Sequence, residues 1–203
     1  MHNEEVTTLI NKQEIIEFFD RYAPQWDADM VRDEEVITTI LDNSGIRTGV
    51  AVLDVACGTG VLVPDYLKRG VSSVTCVDIS PMMIACAREK LSQPNVHLIC
   101  ADVETTAFES LFDCAIVYNA FPHFFQPAKL IKKLASDLKT GGVLTIAHGM
   151  SRAGINQHHA GSARNVSIKL MHEDELVKLF EPYFTVTVKI SNDRMYQVAG
   201  VKR

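Results

Sequence analysis

From Val52 to Gly60 the chain reads Val-Leu-Asp-Val-Ala-Cys-Gly-Thr-Gly, an apolar run that carries one acid and ends in a glycine pair. A strand running straight into glycines lets backbone and ligand touch, because no Cβ stands between them. The dinucleotide fingerprint G-x-G-x-x-G needs a third glycine at position 63, where the chain has Val63, so a pyrophosphate-bearing ligand such as NAD is not expected. Asp78 stands 20 residues after Gly58 and closes the next apolar run. In folds of this kind an acid there accepts hydrogen bonds from ribose hydroxyls. A third run ends in Cys100-Ala101-Asp102, with another acid at its tip.

Four of the seven histidines fall between positions 123 and 159. His123 lies in Asn119-Ala120-Phe121-Pro122-His123-Phe124, His148 follows the apolar run 143–147, and His158 and His159 sit in a stretch rich in His, Gly, Ser and Asn. An imidazole with an ordinary pKa of about 6.5 suits a general base, an acceptor contact or a metal ligand. A solvated or packing role is the alternative. Adjacent His158 and His159 point different ways in either a helix or a strand, and no acid lies in that stretch to join them, so no metal is assigned. His148 is the leading candidate for acceptor binding or base catalysis.

The elements that must position these residues follow from the apolar pattern. Ile15, Ile16, Phe18 and Phe19, then Met30, Ile37, Ile40 and Leu41, fall at helical spacings on either side of a break at 22–27, and predict two helices able to act as a lid. From Val50 short apolar runs at 50–55, 74–77, 96–100, 114–117 and 143–147 alternate with helical segments at 61–69, 81–91 and 127–138, which predicts a parallel α/β sheet. Runs without period-two alternation suit strands covered on both faces. Ser80-Pro81 reads as a helix start and Lys139-Thr140-Gly141-Gly142 as a helix end. The stretch 148–166 reads as an irregular loop, long enough to be functional. A helix at 173–180 precedes two strands, 184–190 and 195–201, joined by Ser191-Asn192-Asp193-Arg194.

The 203 residues, 47% hydrophobic and 22% charged with a formal charge of −5, have the composition of one globular domain. Five cysteines, an odd number without C-x-x-C spacing, read as small buried hydrophobes in a reducing compartment. The polar, acidic start Met1-His2-Asn3-Glu4-Glu5 does not resemble a leader, and no run approaches the roughly 18 apolar residues of a membrane span, so a cytoplasmic protein is expected. Basic pairs are confined to Lys68-Arg69, Lys132-Lys133 and Lys202-Arg203, which argues against a nucleic-acid partner and for a small molecule.

Asp54 to Gly60, Asp78 closing the second strand, Asp102 after the third and Phe112-Asp113-Cys114-Ala115-Ile116-Val117 as the fourth resemble the class I S-adenosylmethionine-dependent methyltransferases, from about Ile46 to the C-terminus. The resemblance implies a Rossmann-like α/β fold with helices on both faces of a seven-stranded sheet, order 3-2-1-4-5-7-6 with strand seven antiparallel. It implies a single domain over 1–203, a helical lid at 1–45 and a core at 46–203. It further implies S-adenosyl-L-methionine as cofactor and S-adenosyl-L-homocysteine as product. Asp54, Ala56, Cys57, Gly58 and Gly60 would line its methionine part, Asp78 would bind its ribose, Asp102 and Val103 would face its adenine and Asn119 the transferable methyl, with Ile79 and Met82 also among the cofactor-binding residues. Ala56 stands where many members have glycine. The segment Phe18 to Asp27 resembles the lid of small-molecule members, in which an aromatic residue, here Tyr22, closes over the cofactor.

The expected activity is therefore in-line methyl transfer to a small-molecule acceptor by a monomer or homodimer, with the histidines as base or acceptor contacts. A cofactor-binding regulatory or interaction protein without catalysis is the alternative. Asn119-Ala120-Phe121-Pro122 lacks the consecutive prolines after Asn that the family's amino-methylating nucleic-acid enzymes show.

Overall fold

The computed structural model describes residues 11–28, 30–161 and 163–203; the opening residues 1–5 and the first ten residues of the expected lid lie outside them. Helix α1 (Lys12–Tyr22) runs into a 3-10 turn at Ala23–Gln25 and is followed by α2 (Glu34–Asn43). Strands and helices then alternate as β1 (Ala51–Val55), α3 (Val63–Lys68), β2 (Ser73–Asp78), α4 (Pro81–Lys90), β3 (Val96–Cys100), β4 (Phe112–Tyr118), α5 (Pro127–Asp137) and β5 (Leu138–His148). The chain closes with α6 (Arg152–His159), α7 (Glu173–Phe180), β6 (Phe184–Ser191) and β7 (Tyr196–Lys202).

The strands form one sheet in the order β3-β2-β1-β4-β5-β7-β6. Pairings from β3 to β5 are parallel, and β7 runs antiparallel to both β5 and β6, as the resemblance implies. Successive side chains of a strand point to opposite faces, and each face here has its own core. Leu53, Val55, Ala115 and Val117 join α5 and α7 through Leu130, Leu134, Leu176 and Phe180. Val52, Cys114 and Ile116 join α2 and α3 through Ile37, Leu41, Val63 and Tyr66. That two-sided burial is why the strand runs lack polar alternation.

Parallel pairing brings the carboxyl ends of β1 to β5 to one edge, so Val55, Asp78, Cys100, Tyr118 and His148 all reach the same rim. Antiparallel β7 starts at that rim, and its register sets Tyr196 opposite His148. Among the described residues no helix is long and apolar enough to cross a membrane.

Two local readings are corrected. The stretch 148–166 is not a continuous loop: Arg152–His159 is helical, with the Ser151 side chain accepting from Gly154 N at 3.1 Å. Gly154, Asn156 and paired histidines have poor helix propensity, so no periodicity announces α6, and distant contacts hold it. Asn156 Oδ1 accepts from Leu170 N at 2.7 Å and Ile155 is buried. Lys139-Thr140-Gly141-Gly142 does not end a helix, because α5 stops at Asp137 and these residues bulge within β5. The β4 ladder jumps from Phe112↔Leu138 to Cys114↔Val143.

Candidate functional site

The loop after β1 turns on left-handed backbone at Ala56 (φ 52°), Gly58 (φ 56°) and Gly60 (φ 77°). The left-handed backbone at Gly60 favours glycine, and a Cβ there would stand 2.5 Å from Leu91 Cδ1, the end of a side chain that would have to shift. Ala56 is an L-residue in a region that costs roughly 1–2 kcal/mol, so this departure stores strain. The loop is held from beneath by the tip of β2. Gly58 N donates to Asp78 Oδ2 at 2.8 Å, and Ser80 N donates to Asp78 Oδ1 at 2.9 Å. Asp78 is only 7% exposed. Burial raises its carboxyl above the usual carboxylate range, and the Ser80 and Gly58 N–H groups oppose that rise. Asp54, on β1, is pushed up to about 8 by burial first and the Asp78 charge second. The Cys57 thiol is raised by neighbouring Cys76 and then by burial.

Residues before β1 cover this loop. Asp20 of α1 accepts from Ser80 Oγ at 2.5 Å and from Met82 N at 3.1 Å. Thr59 Oγ1 donates to Asp27 Oδ1 at 2.5 Å, and Lys90 pairs with the same carboxylate. Lys12 bridges Asp102 and Glu104, so the tip of β3 is tied to α1 as well. Val103 is buried, Ile79 packs with Ile15 and Phe19 against Val166, and the Met82 side chain is exposed. Tyr22 is 39% exposed and lies on Phe18, with ring centroids 4.7 Å apart. The aromatic side chain at the glycine loop is Trp26, whose Nε1 stands 3.8 Å from where a Gly58 Cβ would be.

The acceptor side has a different character. Asn119, at φ 54°, accepts from Gly149 N through Oδ1 at 2.9 Å and so ties the end of β4 to the end of β5. His123, in a short turn at Phe121–His123, donates from Nδ1 to the Val166 carbonyl at 2.7 Å, which leaves Nε2 as its lone-pair nitrogen. Phe19 meets the His123 ring edge-on at 4.9 Å, and His159 lies 5.2 Å beyond it. His148 is fully buried, and neither ring nitrogen has a partner. Burial, then the fields of His159 and His123, lower it to about 3. Burial lowers His123 to about 4, and His159 is lowered by burial and then by His158. The structure thus groups His123, His148 and His159, whereas His158 stays exposed one position along α6.

Among the described residues no group of three or more His, Cys, Asp or Glu side chains is arranged to hold a metal ion. An open cleft of about 640 Å³ lies outside the glycine loop, lined by Arg32, Gly60, Pro64, Lys90 and Leu91, and none of the histidines borders it. Sequence reasoning missed Tyr196 and the covering contacts of Lys12, Asp20 and Asp27. Only the strand register signals the first, and the other three are single charges on exposed positions.

A family model described as a methyltransferase domain matches residues 52–142. The chain is 31% identical over 142 residues to the malonyl-[acyl-carrier protein] O-methyltransferase of Acetivibrio thermocellus, covering 68% of this chain and 50% of that protein. It is 30% identical over 143 residues to the ubiquinone biosynthesis O-methyltransferase of Coxiella burnetii, covering 66% and 61%. The chain therefore spans between half and three fifths of the length of these relatives. Its fold is similar to that of the N-methyltransferase NodS from Bradyrhizobium japonicum WM9 in complex with S-adenosyl-L-homocysteine. The TM-score is 0.74 at 14% identity, over 92% of this chain and 97% of that one.

Proposed function

The chain belongs to the class I S-adenosylmethionine-dependent methyltransferases, and from that premise we propose that it transfers a methyl group from S-adenosyl-L-methionine to a small-molecule acceptor. The observation that carries the reading is the left-handed Gly58–Gly60 backbone with the Asp78 carboxylate tied beneath it at the β2 tip. Such a cradle admits a ligand to backbone distance, and acids at two neighbouring strand tips suit a ribose and an adenine. The residues present fit the cofactor. Asp54, Ala56, Cys57, Gly58 and Gly60 would hold its methionine part, Asp78, Ile79 and Met82 its ribose, Asp102 and Val103 its adenine, and Asn119 the region of the methyl. Tyr22 and Trp26 would close over it, with residues 1–45 acting as the lid of a single domain.

When bound, the cofactor supplies a methyl carbon on a sulfonium, activated for in-line displacement. The chain's own task is to align an acceptor, exclude water and satisfy the acceptor's polar atoms. His123, His148 and His159 stand where the sheet's carboxyl edge opens, and His158 lies outside that group, at the exposed end of α6. The charge of −5 argues against a nucleic-acid partner, and the cysteines, all free, fit a cytosolic protein, which we take to act as a monomer or homodimer. Calorimetry with S-adenosylmethionine and S-adenosylhomocysteine tests the cofactor. Release of S-adenosylhomocysteine with a panel of carboxylates, thiols, phenols and amines tests transfer. A chain that binds neither nucleoside sinks the reading, and one that binds both without ever turning over is a cofactor-binding protein only.

A further inference from the structure

Buried polar atoms without a hydrogen-bond partner are rare in folded proteins, and each asks for an explanation. Among the described residues there are eight such side-chain atoms, and four belong to three neighbours: both ring nitrogens of His148, Nδ1 of His159 and the hydroxyl of Tyr196. His148 and Tyr196 are paired across β5 and β7, with ring centroids 6.1 Å apart. His148 feels the field of His159. His148 and Tyr196 thus stand together at the carboxyl edge of the sheet, where the acceptor would enter, with His159 near enough for its field to reach His148.

The surroundings of these rings decide what they can do. A histidine that serves as a base ordinarily has its other nitrogen held by a carboxylate or carbonyl, which fixes the tautomer and stabilises the imidazolium. Among the described residues no carboxylate pairs with His123, His148 or His159; His123 alone has its Nδ1 held, by the Val166 carbonyl, and burial, which lowers it to about 4, makes its free Nε2 a poor proton acceptor. The fields acting on His148 come from two more histidines, which repel a proton, and burial opposes one further. Burial first and then the Glu173 charge raise the Tyr196 hydroxyl, with Arg152 opposing and Glu175 adding to the rise. A proton taken up on His148 would create a buried cation with no carboxylate bonded to it, beside a cationic methyl donor.

Resting on the methyltransferase reading above, we infer that the acceptor brings its nucleophilic atom as a preformed anion, a carboxylate or a thiolate, held by His148, His159 and Tyr196 as neutral hydrogen-bond donors that remove no proton. The acceptor's lone pair forms the new bond to the methyl carbon as the carbon–sulfur bond breaks, and that bond's electron pair stays on sulfur. The anion's negative charge cancels the sulfonium's positive charge, and no proton is released. An anionic oxygen or sulfur would also satisfy the orphaned N–H and O–H groups with charge-assisted bonds.

The full chain with S-adenosylmethionine provides the test, with malonyl-N-acetylcysteamine and thiophenol as the two anionic arms and catechol and benzylamine as the protonated ones. S-adenosylhomocysteine should form with an anionic arm, and a pH indicator in weak buffer at pH 8 should register no proton per turnover. His148→Gln keeps an N–H donor but cannot act as a base, so it should turn over the same probe within about tenfold of the parent; a base would lose about 10²–10⁴-fold. Because that variant can fail to fold, ¹⁵N shifts of the parent's imidazoles supply a second readout and should show His148 neutral from pH 8 to 5. Turnover confined to catechol or benzylamine with one proton released, binding of S-adenosylmethionine without turnover of either anionic arm, or a charged His148 at neutral pH each overturns the inference. Loss of S-adenosylmethionine binding would instead remove the methyltransferase reading beneath it.

Discussion

The two ends of the site differ in how their polar groups are satisfied. At the glycine loop each side chain that matters has protein partners: Asp78 accepts from two backbone N–H groups, Thr59 donates to Asp27, and Asp20 accepts from Ser80 and Met82. Across the rim, His148 and Tyr196 are buried with their polar atoms unpartnered. One end holds its backbone loop with its own partners, with only Tyr66 Oη and Glu104 Oε1 near it unpartnered among the described residues, and is preorganised as a site for an unchanging cofactor should be. The other is left unfinished, and only an acceptor can complete it. The electrostatics are opposite as well, since burial keeps Asp54 protonated at one end and the histidines unprotonated at the other.

That opposition predicts the largest effect, a stability that falls in both directions of pH for different reasons. His148, at about 3 when folded against 6.5 unfolded, contributes stability that is present above 6.5 and lost as pH falls toward 3. His123, at about 4, adds to the same limb. Asp54, at about 8 when folded against 3.8 unfolded, contributes stability that is full below 3.8 and lost as pH rises through 8. Together the two histidines should make the acid limb several kcal/mol deep, about 6 at pH 4. Melting temperatures from pH 4 to 9 should show His148→Phe flattening the acid side and Asp54→Asn the alkaline side. Equal slopes in parent and variants would remove the contrast.

Next in size is Asp78→Ala, which should weaken S-adenosylmethionine binding by about 2–4 kcal/mol by calorimetry. Because the carboxylate also holds Gly58 N and Ser80 N, the variant should lose about 1–3 kcal/mol of stability in urea as well. His148→Ala should leave cofactor affinity unchanged. If both variants bind the cofactor alike, the two ends are not functionally distinct.

Asp20→Ala cuts two bonds between α1 and the start of α4, and should raise amide exchange over Lys12–Tyr22 by about tenfold. S-adenosylhomocysteine should protect the same amides in the parent, because a lid must open to exchange cofactor. The smallest effect belongs to Ala56→Gly. Relief of left-handed strain and the greater entropy of an unfolded glycine nearly cancel, leaving a gain below about 1 kcal/mol, read as a shift in melting temperature.

The same contrast explains what was legible in the sequence. The strand-to-glycine run at Val52 to Gly60, the acids at Asp78 and Asp102, and the Ser80-Pro81 helix start are local patterns, because each is fixed by backbone geometry within a few residues. The strand order follows from them once the resemblance is seen. The acceptor side is assembled from distant pieces. Tyr196 reaches His148 from 48 positions away through the β5–β7 register, and nothing near either residue announces it. Helix α6 exists because Asn156 binds Leu170, against the propensity of its own residues. Its formation places His159 beside His123 and leaves His158 outside, a distinction that spacing alone does not make. Tyr22 and Trp26 read alike in sequence, and the turn at Ala23–Gln25 decides which of them faces the glycine loop.

The central claim is that a methyl donor seated on the glycine loop points its sulfur toward His123, His148 and His159. A crystal structure of the full chain with S-adenosyl-L-homocysteine tests it most directly. The account predicts ribose hydroxyls on Asp78, adenine beside Asp102 and Val103, and the thioether sulfur facing His123, His148 and His159. Density for the ligand in the outer cleft between Arg32 and Lys90, or a sulfur turned away from the histidines, would contradict it.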